Sequence, residues 1–372
     1  MVRGRRVRNR HSCTRCLFRA LLVVFLFLFF AVQKDVLLPR NRLKFTIGTI
    51  VRGDEWSGEV TDAKRAVLVS LKSFIRSAGS QRVVIFVDSQ SSCDLRPDFL
   101  KSCVCQSISF CADSVYRLPT MDCVFDTLFS IAKTHIVVFV NGDIVLFDSF
   151  LPALERSNAI AKDFLTVGRR HRGDGVLNIR DPGDWHYYET HAKILPLDHG
   201  YAIDFFATAK HTYNSHIRLS LPPFVVGAWR WDNVLLSTFY KRTNATVIDA
   251  TYATPVLHQL PNVINNHQSR RGAAYNDHLA HFHSGMDYMF GSIDFADIVL
   301  EDGVLDTSVA DPFHATVRRA FQAGVLQLSE LESMKDYHQF RLNAINAKLG
   351  SFENHVQIMR ESRPGEKRWL LM

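Results

Sequence analysis

Outside its first residues the chain lacks an excess of either charge. The formal net charge of the 372 residues is +7, and residues 1–19 hold seven arginines (Arg3, Arg5, Arg6, Arg8, Arg10, Arg15, Arg19) and no acid. Setting those seven aside leaves 37 Lys+Arg against 37 Asp+Glu. A nucleic-acid-binding face needs a basic surplus, so the neutral body argues against nucleic acid as a partner. Zinc patterns are missing too. Cys103 and Cys105 make a Cys-x-Cys with no second pair, and His278, His281 and His283 have no fourth ligand, so they read as a solvated loop or helix face. No small-x-small cleavage site follows the apolar run near the start; Gln33-Lys34-Asp35 is a poor one, which disfavours a removable signal peptide.

That run, Leu17 to Val32, is broken only by Arg19. Snorkelling of Arg19 and extension through Val36-Leu37-Leu38 bring it towards the roughly 20 residues that span a bilayer. The preceding arginines then keep the N-terminus cytosolic. The expectation is a basic cytosolic tail over 1–16, a type II signal anchor over 17–38 and a lumenal body, in the Golgi or ER membrane. Cys13 and Cys16 would be juxtamembrane and open to palmitoylation. Cys93, Cys103, Cys105, Cys111 and Cys123 crowd into 31 residues, which predicts local disulfides with one cysteine left over. Asn244-Ala245-Thr246 is the only N-glycosylation sequon.

The body alternates strands and helices. Strands are predicted at 43–51, 83–88, 136–146, 164–168, 201–208, 246–251 and 256–259. Helices are predicted over 62–75 after a Thr61 cap, 121–133, 149–162 and 234–241. This rhythm implies an α/β fold, a mainly parallel sheet with helices on its faces. Residues 173–200, rich in Gly, Asp and His, read as a loop over a site.

The chemistry concentrates at strand ends. Ile136 to Val140 is an unbroken apolar strand that gives way to Asn141-Gly142-Asp143. Asp143 thus sits where ligands bind in open α/β sheets; it is either a cation ligand or a turn-capping Asp. Asp88 ends another strand, and His258 could ligate a metal through a neutral imidazole. Arg169 and Arg170 leave a strand's carboxyl end, either as a bidentate pyrophosphate clamp or as a solvated basic loop. Asp204 lies within an apolar strand, where an acid needs a partner or a function. Asp232 lies in Ala228-Trp-Arg-Trp-Asp-Asn233, between aromatic faces on which a sugar can stack, and reads equally as a general base or as a helix N-cap.

Taken in order, FTIGTI (45–50), AVLVSLKSF (66–74), VVIFVDS (83–89), VVFVNGDIVL (137–146), FLTVGRR (164–170), YAIDFFATAK (201–210), PPFVVGAWRWDNVLL (222–236) and VIDATYATPVLHQ (247–259) resemble GT-A glycosyltransferases. The likeness is to a nucleotide-diphospho-sugar transferase-like group of plants and microbes. It implies a GT-A, Rossmann-like, mixed and mainly parallel sheet over 40–300, with a nucleotide-sugar half (40–146) and an acceptor half (147–300); the remaining 301–372 is helical in its own pattern, with Asp311-Pro312 as a cap-then-proline start. It also implies a glycosyltransferase that uses a nucleotide-diphosphate sugar, a glycan or glycoconjugate acceptor, and Mn²⁺ or Mg²⁺. Asn141-Gly142-Asp143 would stand for the group's DxD, with Asn141 in place of the first acid, Asp143 as metal ligand and His258 or Asp88 completing the shell. Asp88, Asn141, Arg169 and Arg170 would face the donor, and Asp232 or Asp204 would be the base. The other classes are an inactive relative that binds a nucleotide sugar or glycan, and a membrane-anchored scaffold.

Overall fold

The computed structural model describes residues 43–51, 61–113, 115–173, 175–177, 184–259, 267–284, 288, 291–301 and 308–309. In chain order these form β1 (Phe45–Ile50), α1 (Asp62–Ala78), β2 (Val83–Val87), α2 (Gln90–Asp94), β3 (Val104–Ser107), α3 (Met121–Ile131), β4 (Ile136–Val140), β5 (Ile144–Leu146), α4 (Phe150–Ile160), β6 (Phe164–Arg172) and α5 (Asp184–Ala192). There follow β7 (Ile203–Ala209), α6 (Trp231–Arg242), β8 (Thr246–Asp249), β9 (Val256–His258), α7 (His267–Ser284), β10 (Ile298–Val299) and β11 (Ser308–Val309).

The main sheet runs β11-β10-β8-β6-β7-β4-β1-β2-β3. Strands β3, β2, β1 and β4 are mutually parallel, as are β6, β8 and β10. Between these blocks β7 runs antiparallel to both β4 and β6, so the sheet is mixed and mainly parallel. The unbroken apolar reading of β4 is explained by burial on both faces: all five residues are buried. Helix α1 starts where its cap predicts, with Thr61 Oγ1 accepting the Lys64 N–H at 3.3 Å, and buries Val67, Leu71 and Phe74.

Strand β6 is longer than its apolar run. At Gly168 the register shifts, and a Cβ there would come within 2.7 Å of the Phe205 ring. Before the shift β6 pairs with β8; beyond it Arg170, His171 and Arg172 pair with β9. Arg169 and Arg170 are therefore strand residues, not the start of a loop leaving a strand end. The sequence hides this because charged side chains beyond a bulge break the apolar pattern. The stretch expected as a loop over 173–200 contains α5, and residues 174 and 178–183 fall outside the described residues.

An aromatic cluster packs α3, β4, β7 and α6 together. Trp231 sits edge-on to Phe139 at 5.6 Å and packs on Phe125 and Phe206, while Phe129 stacks on Tyr213 at 3.9 Å. Each such pair contributes about 0.5–1.5 kcal/mol beyond the area it buries. Trp231 is only 6% exposed, so it is core and not one of two flanking sugar faces.

The membrane reading is corrected. No helix among the described residues is long and apolar enough to cross a membrane, and this overturns the Golgi or ER type II assignment. The stretch 17–38 on which that assignment rested, like the tail 1–16, lies outside the described residues. Most of 301–372 does too; Ser308–Val309 within it is a short strand antiparallel to β10.

Two disulfides cross the cysteine-rich stretch. Cys93–Cys105 ties α2 to β3, and Cys111–Cys123 ties the following loop to α3. Cys103 is buried and free, and burial pushes its thiol up to about 11. Peptide mapping of unreduced protein should find those two linkages, with Cys103 alkylated only after unfolding. Five alkylatable cysteines in the native protein, or a bridge to Cys103, would contradict this arrangement.

Candidate active site

A cavity of about 1140 Å³ opens at the carboxyl ends of β1, β2 and β4. Asn141-Gly142-Asp143 crosses it between β4 and β5. A Cβ at Gly142 would lie 2.8 Å from the Ile50 carbonyl oxygen, so only glycine lets this turn pass over the end of β1. Strand β5 pairs with β9 starting at Ile144 opposite His258, and the Gln259 N–H donates to the Asp143 carbonyl at 3.2 Å. That side ladder brings the His258 Nε2 to 3.1 Å from Asp143 Oδ2. Burial pushes the Asp143 carboxyl up, but the hydrogen bond and charge of His258 outweigh it and hold the group below its usual range. Burial lowers His258, while Asp143 and then Asp204 more than reverse that, so the imidazole is raised.

The other wall is built around Asp204, the second residue of β7 and not the centre of its strand. The antiparallel pairing of β4 and β7 places it beside Asn141, whose N–H donates to the Asp204 carbonyl at 3.0 Å. Asn141 Nδ2 donates to Asp204 Oδ1 at 2.6 Å, and Arg170 Nη1 to Oδ2 at 2.9 Å. An aspartate at 141 would set two carboxylates face to face, so the amide is the residue this contact requires. Arg170 Nε also donates to Asp198 at 2.8 Å, and Asp198 pairs with Arg172 as well.

Asp232 is the second residue of α6, and the N-cap position belongs to Arg230, so the N-cap reading is corrected. Its Oδ1 accepts the neighbouring Asn233 N–H at 2.9 Å. Burial, opposed by that hydrogen bond and reinforced by the negative charge of Asp204, pushes the Asp232 carboxyl up to about 7.

The cavity thus gathers Asp88, Asn141, Asp143, Arg170, Asp204, Asp232 and His258. Arg169 stands apart: its Nη2 donates to Asp294 at 2.6 Å and it does not line the cavity, so the expected guanidinium pair is not formed. Asp88 is exposed and accepts from Ser92 Oγ at 2.9 Å. Asp198 and Asp277 carry no signal in the sequence, being single acids in segments with no apolar period. Among the described residues no group of three or more His, Cys, Asp or Glu is arranged to hold a metal. Asp143 and His258 offer two donors, a set that fits a hard cation only if a bound diphosphate and water supply the rest.

The class defined by sheet and site is a Rossmann-like α/β fold with its ligand cavity at the strand carboxyl ends. No protein-family model and no curated protein matches the chain. Among solved structures it is similar to S. aureus TarS, with a TM-score of 0.40 and 8% identity over 79% of this chain and 46% of that one. It is similar also to S. aureus TarS 1-349, with a TM-score of 0.38 and 8% identity over 68% of this chain and 82% of that one. A third is 4-diphosphocytidyl-2C-methyl-D-erythritolsynthase from Anaerococcus prevotii DSM 20548, with a TM-score of 0.34 and 13% identity over 64% and 98% of the respective chains. The chain spans less than half the length of the first of these, and likenesses this distant carry no functional weight.

The raised Asp232 has a consequence for stability. Its carboxyl holds a proton to about pH 7 when folded but only to near 3.8 when unfolded, so the folded state binds more protons between those values. Its contribution is present below the unfolded value and lost as pH rises through the folded one. Asp232→Asn removes that loss, so its Tm gain over wild type should be larger at about pH 8 than at about pH 5. Calorimetric Tm values at both would check this, and a gain independent of pH would contradict it.

Proposed function

We propose that this chain is a glycosyltransferase that moves a sugar from a nucleoside-diphosphate donor to a glycan or glycoconjugate acceptor, using Mn²⁺ or Mg²⁺. The observation that carries the reading is the division of labour in one cavity: the Asp143–His258 pair beside the turn after β4, and Asp232 on the facing helix α6. Asp143 and His258 would hold the cation; when bound, it neutralises charge on the leaving diphosphate. Arg170, fixed by two carboxylates, would present its guanidinium from the other wall of the cavity.

Transfer breaks the bond between the sugar's anomeric carbon and the diphosphate oxygen, which keeps the electron pair. A bond from the acceptor oxygen to that carbon replaces it, and the acceptor proton goes to the base. Asp204 is the poorer base, since Asn141 and Arg170 occupy both its oxygens. Asp232, whose carboxyl titrates at about 7, is poised for that role in an inverting reaction.

Asp143→Ala should weaken metal-dependent binding of a nucleoside diphosphate by at least about 10–100-fold, the loss seen for changes around metal ligands. Asp232→Asn should leave that binding intact and lower transfer by roughly 10²–10⁴. Undiminished binding in the first variant would refute the cation role, and full transfer in the second would refute the base. The wild-type rate should also rise with pH through about 7 as Asp232 loses its proton.

A further inference from the structure

Trp229 is 55% exposed on the cavity wall, whereas Trp231 two residues on is buried in the core. The residue between them makes this reversal. Arg230 has φ 87° and ψ −33°, a backbone region that L-residues rarely adopt and that persists only where its surroundings impose it. Helix α7 imposes it. Asn276, fully buried, accepts the Val225 N–H at 2.9 Å and donates to the Val225 and Trp229 carbonyls at 3.0 and 3.1 Å. Its neighbour Asp277 accepts from Arg230 Nε at 2.5 Å on one oxygen and from the Trp229 indole N–H at 3.2 Å on the other. The Arg230 guanidinium also lies 5.2 Å over the Tyr288 ring.

A tryptophan exposed by chance offers its indole N–H to water. Here a carboxylate that is itself 17% exposed holds the N–H and fixes the ring plane at the cavity mouth, three residues from Asp232. A flat apolar face with acids at its edge fits a carbohydrate: ring C–H groups lie on the face and hydroxyls reach the carboxylates.

We propose that Trp229 is the stacking wall of the acceptor site, that Asp277 is the positioning residue that holds it there, and that the acceptor group is therefore a sugar ring. The acceptor role rests on the transferase reading; the binding of a sugar ring by Trp229 does not.

The test uses the full chain and four variants, Trp229→Ala, Trp229→Phe, Asp277→Ala and Asp277→Asn. Binding of cello-, xylo-, manno- and N-glycan oligosaccharides is measured by saturation-transfer NMR, and binding of UDP, GDP and CDP with Mn²⁺ by calorimetry. An oligosaccharide bound by wild type should bind about ten-fold more weakly to Trp229→Ala and Asp277→Ala. Phe at 229 should restore most of the loss, as should Asn at 277, whose amide oxygen still accepts the indole N–H. Nucleotide affinity should be the same throughout. The proposal is overturned if no oligosaccharide binds wild type, if Trp229→Ala binds it equally well, or if Trp229→Ala loses nucleotide instead. Failure of wild type to bind any nucleotide, with Trp229-dependent oligosaccharide binding intact, would remove the transferase reading and support the carbohydrate site.

Discussion

The site depends on one buried carboxylate being fully answered. Asp204 projects from β7, the antiparallel strand between the two parallel blocks, and meets Asn141 from the turn that follows β4 and Arg170 from β6. Three adjacent strands are thus joined by side chains where their backbones open onto the cavity. A buried charge that loses a partner costs about 3–5 kcal/mol, so neither Asn141 nor Arg170 can be exchanged lightly. Asn141, which looks like a defect when the turn is compared with a two-acid motif, is the donor this bridge requires.

The same compensation separates two acids that share a cavity. Asp204 receives a donor on each oxygen, from Asn141 and from Arg170. Asp232 receives a helix N–H, lies in the field of Asp204 and is pushed up to about 7. The two carboxyls share one cavity but differ in their partners: Asp204 is held by two side-chain donors and Asp232 by one backbone N–H. Helix α7 adds the third part by holding the backbone before Asp232 in a conformation the local sequence does not favour.

Much of this was legible in the chain itself. The strand leading into Asn141-Gly142-Asp143 and the capped helix α1 follow from an apolar run and cap chemistry, while His258 beside Asp143 is one of two alternatives, with Asp88, that only the family resemblance offers. What stayed hidden came from tertiary contacts. Arg169 and Arg170 look alike in sequence, yet the register shift at Gly168 sends one to Asp294 and the other to the cavity. Trp229 and Trp231 look like a matched pair, yet the positive φ of Arg230 puts one at the surface and the other in the core. Asp277 touches the site from a helix about fifty residues away, a distance local periodicity does not bridge.

The central claim is that Asp143 and His258 prepare this cavity for a diphosphate carried with a divalent cation. Calorimetric titration of the wild-type chain with UDP, GDP and CDP, each with Mn²⁺ and again with EDTA, tests it directly. The account predicts that at least one nucleoside diphosphate binds with Mn²⁺ and that EDTA abolishes or strongly weakens that binding. Binding of equal strength under both conditions, or no binding of any of the three, would contradict it.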